Sequence, residues 1–129
     1  MNIGQISGAV FIIVLFECRA ASAERCVMIT GPRYNLVADT VTWSMKTESD
    51  HRCLRGFRYA NVEFERVTLI SPPRSGQVVL QGWGFTYTPK DGFRGEDSFD
   101  VEVSGKIRKI RGTSTIHVSV SVVGAGLIR

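Results

Sequence analysis

Histidine and cysteine, the residues that most often bind metals or activate nucleophiles, are scarce in this sequence. Its 129 residues include two histidines and three cysteines, and no Cys-x-x-Cys, Gly-x-Ser-x-Gly, His-Glu-x-x-His or phosphate-loop motif occurs. His51-Arg52-Cys53 offers only two potential metal ligands. Asp100, His117 and Ser119 fall at predicted solvent-facing positions, where polar residues are common. We therefore expect a protein that is not an enzyme, with no catalytic residue, no metal site and no cofactor.

A run of apolar residues long enough to cross a membrane is also missing. The run from Ala9 to Phe16 is far shorter than the roughly twenty residues that a membrane-spanning helix needs. It is followed by Ala21-Ser22-Ala23, small residues of the kind that signal peptidases accept. We expect residues 1–23 to be a cleaved signal peptide. Residues 24–129 would then form one exported domain, either periplasmic or extracellular.

The cysteines fit this division of the chain. Cys18 lies within the predicted signal peptide, which leaves Cys26 and Cys53 as an even pair in the exported domain. Two thiols of one small domain usually join in an oxidising compartment. We predict a structural disulfide between them, which would stabilise the fold by about 3 to 4 kcal/mol on the loop-entropy model.

Sustained 3.6-residue periodicity is absent, and apolar residues alternate instead with a period of two. The clearest case runs from Thr113 to Val122, and residues 99–103 alternate in the same way. We expect residues 105–112 to be the loop between these two strands. Alternation also predicts strands at residues 27–30, 41–45, 62–64, 67–69, 78–80 and 85–87.

Two details refine this pattern of strands. The apolar residues of 62–64 and 67–69 lie on opposite parity, which predicts a β-bulge near Glu65-Arg66. Glycine and proline supply turns at Pro72-Pro73 and Gly82-Trp83-Gly84. Seven to nine short strands separated by such turns predict an all-β, antiparallel sandwich or barrel.

Three segments of the second half resemble a known domain family. Residues 72–80 (PPRSGQVVL), 85–89 (FTYTP) and 92–99 (GFRGEDSF) are similar to the P-x-x-G-x-V, F-x-Y-x-P and G-F-x-G-x-D-x-F segments of bacterial Ig-like, cadherin-like tandem-repeat domains. The resemblance covers about residues 71–122. It implies an immunoglobulin-like, antiparallel Greek-key β-sandwich of about 7–9 strands, of the kind found in adhesins and cell-surface proteins. A single copy is present, and the Asp-x-Asn-Asp calcium linker of cadherins is missing.

The residues of these segments also have roles that follow from their chemistry. The aromatic side chains are large enough to fill the core of a small sandwich, and Gly92 and Gly95 allow the chain to bend sharply. We expect Asp97 to accept hydrogen bonds from loop amides, which is a structural role. The predicted core aromatics are Phe85, Tyr87, Phe93 and Phe99.

Binding hypotheses come from the charge pattern, with a formal net charge of +4. A first basic cluster lies in the predicted 105–112 loop, and a second comprises Arg52, Arg55 and Arg58. Such clusters attract a surface protein, an acidic polysaccharide or an anionic lipid. Alternatively, they keep the hairpin soluble and the sheet edges unpaired. Export argues against nucleic acid as a partner. The first cluster consists of Lys106, Arg108, Lys109 and Arg111.

Trp83 is a further candidate binding residue. An indole between two glycines at a hairpin tip either stacks on a sugar ring or folds over the end of the sandwich.

Two functions are consistent with these features of the sequence. The first is an exported, non-catalytic interaction or adhesion module that binds a cell-envelope or extracellular component. The second is a structural accessory subunit of an envelope assembly with no ligand of its own. The sequence has no marker of oligomeric state.

Overall fold

The computed structural model describes residues 25–57 and 61–128. The predicted signal peptide, residues 1–23, and Arg58 lie outside the described residues. Within them the chain forms eight β-strands and no helix, so no described segment is a helix that could span a membrane. The strands are β1 (Cys26–Ile29), β2 (Asp39–Glu48), β3 (Cys53–Gly56), β4 (Val62–Ser71), β5 (Gly76–Gln81), β6 (Gly84–Pro89), β7 (Gly95–Ile107) and β8 (Ile110–Val123).

The strands form two sheets, which confirms the predicted all-β class. One sheet has the order β1-β2-β8-β7-β4, and the other has the order β3-β6-β5. All neighbouring pairs are antiparallel except β2 and β8, which run parallel. The prediction of a wholly antiparallel fold is therefore wrong for this pair. Alternation along a strand shows which face is buried but not which distant strand lies beside it, so the parallel pairing could not be predicted from the pattern.

The core lies between the sheets, where the period-two pattern places it. On β8, Ile116, Val118 and Val120 are fully buried, whereas His117 and Ser119 between them are partly exposed. The predicted aromatic core is confirmed for three residues that are at most 1% exposed, and Phe93 packs against it partly buried. Each such ring stabilises the fold by about 1.5–3 kcal/mol through burial alone. The three are Phe85, Tyr87 and Phe99.

The predicted Cys26–Cys53 disulfide is confirmed, with 5.8 Å between the two Cα atoms. Cys26 lies on β1, at one edge of the five-stranded sheet, and Cys53 lies on β3, at an edge of the three-stranded sheet. The bond therefore ties the two sheets together along one side of the sandwich. Trp43, which lies between the two cysteines in sequence, is an ordinary core residue, 3% exposed.

The predicted β-bulge in β4 is also confirmed, because the pairing of β4 with β7 shifts register between Phe64 and Arg66. The turn between β5 and β6 is shorter than the predicted Gly82-Trp83-Gly84, since Gly84 already pairs with Gln81. Gly82 has φ +56°, which suits the first position of a type II′ turn.

The predicted 105–112 loop is wrong. The pairing of β7 with β8 continues to Ile107 opposite Ile110, so that only Arg108 and Lys109 form the turn. Gly105 and Gly112, the two ends of the predicted loop, are instead strand residues that another segment of backbone approaches closely. An added Cβ would overlap the Glu63 carbonyl oxygen at Gly105 and the Leu36 carbonyl oxygen at Gly112.

Candidate functional site

Several of the predicted binding residues meet at one end of the sandwich. The first residue of β4, Val62, pairs with Ile107 beside the β7–β8 turn, and Trp83 of the β5–β6 turn stacks on Phe64. The segment between β1 and β2 reaches the same end, since the Leu36 amide donates to Ser114 Oγ at 2.8 Å. We call this region the hairpin end and define it by Arg33, Asn35, Asn61, Trp83, Arg108 and Lys109.

The tip of the hairpin end is basic, exposed and conformationally unfavourable. Arg108 and Lys109 have φ values of 54° and 69°, and both side chains are exposed. Two-residue hairpins with positive φ at both positions normally carry Asn-Gly or a similar pair. A left-handed backbone costs an ordinary residue about 1–2 kcal/mol. This turn therefore destabilises the folded state while it exposes two long cationic side chains.

Lys106 and Arg111 lie on the strands below the tip, paired with each other on the outer face. Arg111 donates from Nε and Nη2 to the two oxygens of Glu65, both at 2.9 Å. This hydrogen bonding lowers the pKa of Glu65 and raises that of Arg111. Glu63 lies opposite Lys106 in the register of β4 and β7. The four predicted basic residues therefore do not form one cluster, because two of them lie beside acids and only the tip remains basic.

A cleft of about 240 Å³ adjoins the tip. Guanidinium and carboxamide groups line it, and both donate hydrogen bonds to anionic oxygens. Its volume accommodates a carboxylate, sulfate or phosphate group together with the sugar-sized unit that carries it. The lining residues are Arg33, Asn35, Asn61, Ile107 and Arg108.

Trp83 folds back over the end of the sandwich, the second of the two arrangements considered for it. Its ring lies 5.1 Å from that of Phe64, with 16° between the planes, and its carbonyl oxygen accepts from the Phe57 amide at 2.9 Å. The side chain keeps 40% of its surface exposed. One face of the indole is thus occupied, and Trp83 forms part of the wall of the hairpin end.

The second basic cluster has a structural member. Arg55 Nη2 donates to the Cys26 carbonyl oxygen at 3.0 Å, which links the edge strands β3 and β1 beside the disulfide. Arg52 is exposed, and Arg58 lies outside the described residues. Neither of its two described members, Arg52 and Arg55, lines the cleft beside the tip.

A second and larger groove, of about 590 Å³, lies on the outer face of the five-stranded sheet. It contains a pair that the sequence did not predict: His117 Nδ1 lies 2.5 Å from Asp100 Oδ1 across the β7–β8 register. Ser119 lines the same groove. Among the described residues, no hydrogen bond joins the Ser119 hydroxyl to the imidazole, so the three side chains are neighbours without the contacts of a nucleophile and its base.

Asp97, beside this groove, has the predicted structural role. Its Oδ1 accepts from the Arg74 amide at 3.0 Å, and its Oδ2 accepts from the Ser75 amide at 3.1 Å and the Tyr87 hydroxyl at 2.8 Å. Burial, together with this hydrogen bond, raises the pKa of Tyr87. Asp97 thereby fastens the loop before β5 to the first residues of β7.

Neither a protein-family model nor a curated protein sequence matches the chain. The family resemblance of residues 71–122 thus remains a prediction. Within the described part of the chain, no group of three or more histidine, cysteine or acidic side chains is arranged to hold a metal ion.

Proposed function

We propose that this chain is an exported, non-catalytic, immunoglobulin-like module that binds an acidic polysaccharide of the cell envelope or extracellular space through its hairpin end. The observation that carries the proposal is the unfavourable turn, in which Arg108 and Lys109 occupy positive φ at an exposed tip beside a cleft lined by cationic and amide donors. Residues held in strained conformations at a surface often mark functional sites.

The strand order supports the immunoglobulin-like part of the proposal. If β2 to β8 are lettered A to G, the three-stranded sheet reads B-E-D and the larger sheet contains G-F-C in order. These are the sheet memberships of the immunoglobulin fold. The departures are that strand A pairs with G rather than B, and that β1 adds an edge strand. The disulfide is compatible with export, because such bonds persist in oxidising compartments.

The distribution of charge favours a polysaccharide over a lipid surface. Binding to anionic membranes typically draws on about four to eight clustered cations. Here Glu63 and Glu65 accompany Lys106 and Arg111, and Arg111 is held by both oxygens of Glu65. What remains is a narrow tip beside a cleft large enough for one charged sugar unit, which suits the spaced carboxylates or sulfates of a sugar polymer.

The test is binding of the purified protein to a polyuronate and to a sulfated polysaccharide, measured by calorimetry. Replacing both Arg108 and Lys109 by Gln should weaken binding about tenfold or more, because each charge-assisted hydrogen bond contributes about 1.5–3 kcal/mol. The matched control replaces Lys90 and Arg94, which are exposed near the start of β7, by Gln. That variant loses the same charge and should bind like the parent.

Other outcomes would identify other functions. Equal losses in both double variants would indicate attraction by net charge alone and contradict a site at the hairpin end. Binding to anionic vesicles but to neither polysaccharide would replace the proposed ligand. No binding by the parent to any of these would favour the structural accessory subunit with no ligand of its own.

A further inference from the structure

Within the part of the chain that the structure describes, the two sheets leave four strands with a free edge: β1 and β4 in the larger sheet, and β3 and β5 in the smaller one. A free edge presents unpaired amide and carbonyl groups on which another chain can add a strand. Proteins usually protect such edges with short length, charged side chains or bulges. The four edges of this molecule differ in how far they are protected.

Three of the edges carry such protection. Strands β1 and β3 have only four residues each, they are joined by the disulfide, and Arg55 donates to the Cys26 carbonyl oxygen between them. Strand β4 carries the charged residues Glu63, Glu65 and Arg66, and two register shifts interrupt its pairing with β7. Each of these edges is therefore a poor template for an added strand.

Strand β5 has none of these features. Its six residues pair with β6 without a register shift, and its sequence contains no charge and no proline. Among the described residues of β3, β5 and β6, the outward-facing ones are likewise uncharged, and Val79 at the centre of β5 is 46% exposed. The outward-facing residues of β3, β5 and β6 are Leu54, Gln77, Val79, Gln81, Thr86 and Thr88.

The hairpin geometry fixes which backbone groups of β5 face outward. A two-residue turn makes Gln81 and Gly84 a hydrogen-bonded pair, so Gln77, Val79 and Gln81 direct their amide and carbonyl groups toward β6. The groups of Gly76, Val78 and Leu80 then point to the free edge. Among the described residues, no other strand pairs with that edge.

We propose that the free edge of β5 pairs antiparallel with β5 of a second copy of this chain, about a two-fold axis at Val79. The sequence Gln77-Val78-Val79-Leu80-Gln81 is nearly palindromic. Such a two-fold arrangement places Val79 opposite Val79, each Gln77 opposite a Gln81, and each Val78 opposite a Leu80. A symmetric interface requires this self-complementarity, and no like charges oppose each other in it.

This dimer would join the two three-stranded sheets into one sheet of six strands. Because β5 leads directly into the turn that carries Trp83, antiparallel pairing places the two hairpin ends at opposite ends of the dimer. If the proposed function holds, one dimer would then bind two ligand chains, with the gain in avidity that two linked sites provide. The dimer itself does not depend on that function, and its test needs no ligand.

The first test is the molar mass of the purified protein, measured by sedimentation over a range of concentrations. The parent should show a concentration-dependent dimer. Val79→Lys places two cations opposite each other and should raise the dissociation constant about tenfold or more. Val27→Lys is the matched control, because Val27 is 44% exposed on the outer face of a different edge strand, β1. It should dimerise like the parent, and a parent that stays monomeric to its solubility limit overturns the proposal.

The second test examines the register and is made in the Cys18→Ser background. Val79→Cys should form a disulfide-linked dimer under mild oxidation, because facing residues at non-hydrogen-bonded positions have Cα atoms about 4.5 Å apart, within disulfide reach. Gln81→Cys should not, since each Gln81 lies opposite Gln77 of the second copy. Cross-linking by Gln81→Cys but not Val79→Cys would contradict the proposed pairing. A parent protein that dimerises but binds neither polysaccharide would contradict only the proposed function.

Discussion

At the scale of single residues, one buried carboxylate holds the C-terminal segment in place. Glu48, 1% exposed at the end of β2, accepts hydrogen bonds from the amides of Gly126 and Ile128, each at 2.9 Å. These bonds, more than the Arg25 guanidinium and the His51 ring, each 3.9 Å from the carboxylate, lower the pKa of Glu48 below its ordinary value of 4.5. The carboxylate thus links the segment after β8 to the end of β2.

The lowered pKa predicts how stability depends on pH. A carboxyl whose pKa is lower in the folded state stabilises the fold above its unfolded pKa, and this contribution disappears as the pH falls through the folded value. The parent should therefore lose stability below about pH 4.5. Glu48→Gln should melt about 5 °C lower at neutral pH and show a shallower acid dependence, measured by circular dichroism. Glu102→Gln, on the outer face of β7, is the control, and an unchanged acid slope in Glu48→Gln would contradict this role.

Two strand glycines show why a residue type alone misleads. Gly105 and Gly112 are the two ends of the predicted loop, but both lie in strands where another segment of backbone approaches closely. The sequence does not distinguish these two uses of glycine, since the approaching segments come from elsewhere in the chain. The predicted loop was therefore too long by three residues on each side.

Substitution of these glycines provides a prediction. Gly105→Ala should destabilise the fold by about 1–3 kcal/mol, because the added methyl group overlaps the Glu63 carbonyl oxygen and displaces β4 from β7. Gly56→Ala is the control, since its added carbon would meet its nearest neighbour at 3.7 Å, an ordinary contact distance. Urea denaturation measures both. Equal effects would mean that the close approach at Gly105 is not a constraint.

At the scale of elements, the β7–β8 hairpin combines long, regular pairing with an unfavourable tip. Thirteen residues of β7 pair with β8 without a register shift, so the strands hold the turn in its left-handed conformation. Alternation predicted both strands, and a change of parity predicted the bulge in β4. The identity of the turn residues was not predictable, because Arg-Lys has no preference for positive φ.

This hairpin predicts a trade between stability and binding. Replacing Arg108-Lys109 by Asn-Gly should stabilise the protein by about 1–2 kcal/mol, because both positions then carry residues that accept positive φ. The same variant should lose polysaccharide binding as strongly as the double Gln variant, which keeps the strain. Thermal unfolding and calorimetry measure the two effects. A variant that is no more stable than the parent would contradict the strain assigned to the turn.

At the scale of the whole molecule, two long-range links close the sandwich. The disulfide joins the sheets along one side, and the parallel pairing of β2 with β8 joins early and late parts of the chain. Asp39 secures the start of β2, since it accepts from the Asn35 and Val37 amides and from Ser114 Oγ on β8. Counting cysteines predicted the disulfide. The pairing of β2 and the convergence of Arg33, Asn61 and Arg108 depend on tertiary contacts that no local pattern encodes.

Removal of the disulfide tests its contribution to the whole fold. The double variant Cys26→Ala/Cys53→Ala should lose about 3–4 kcal/mol of unfolding free energy, because the bond closes a loop with a sequence separation of 27 residues. Guanidinium denaturation of both proteins measures the difference. A loss well under 1 kcal/mol would mean that Arg55 and the core packing alone hold β1 to β3.

Titration of the isotopically labelled protein with a polyuronate, followed by amide and side-chain NMR shifts, would locate the binding surface residue by residue. Binding at the hairpin end should place the largest shifts at Arg33, Asn61, Arg108 and Lys109, and the shifts should diminish as salt is added, because charge attraction drives the binding. Shifts concentrated at Asp100 and His117 in the larger groove, with the hairpin end unchanged, would contradict it.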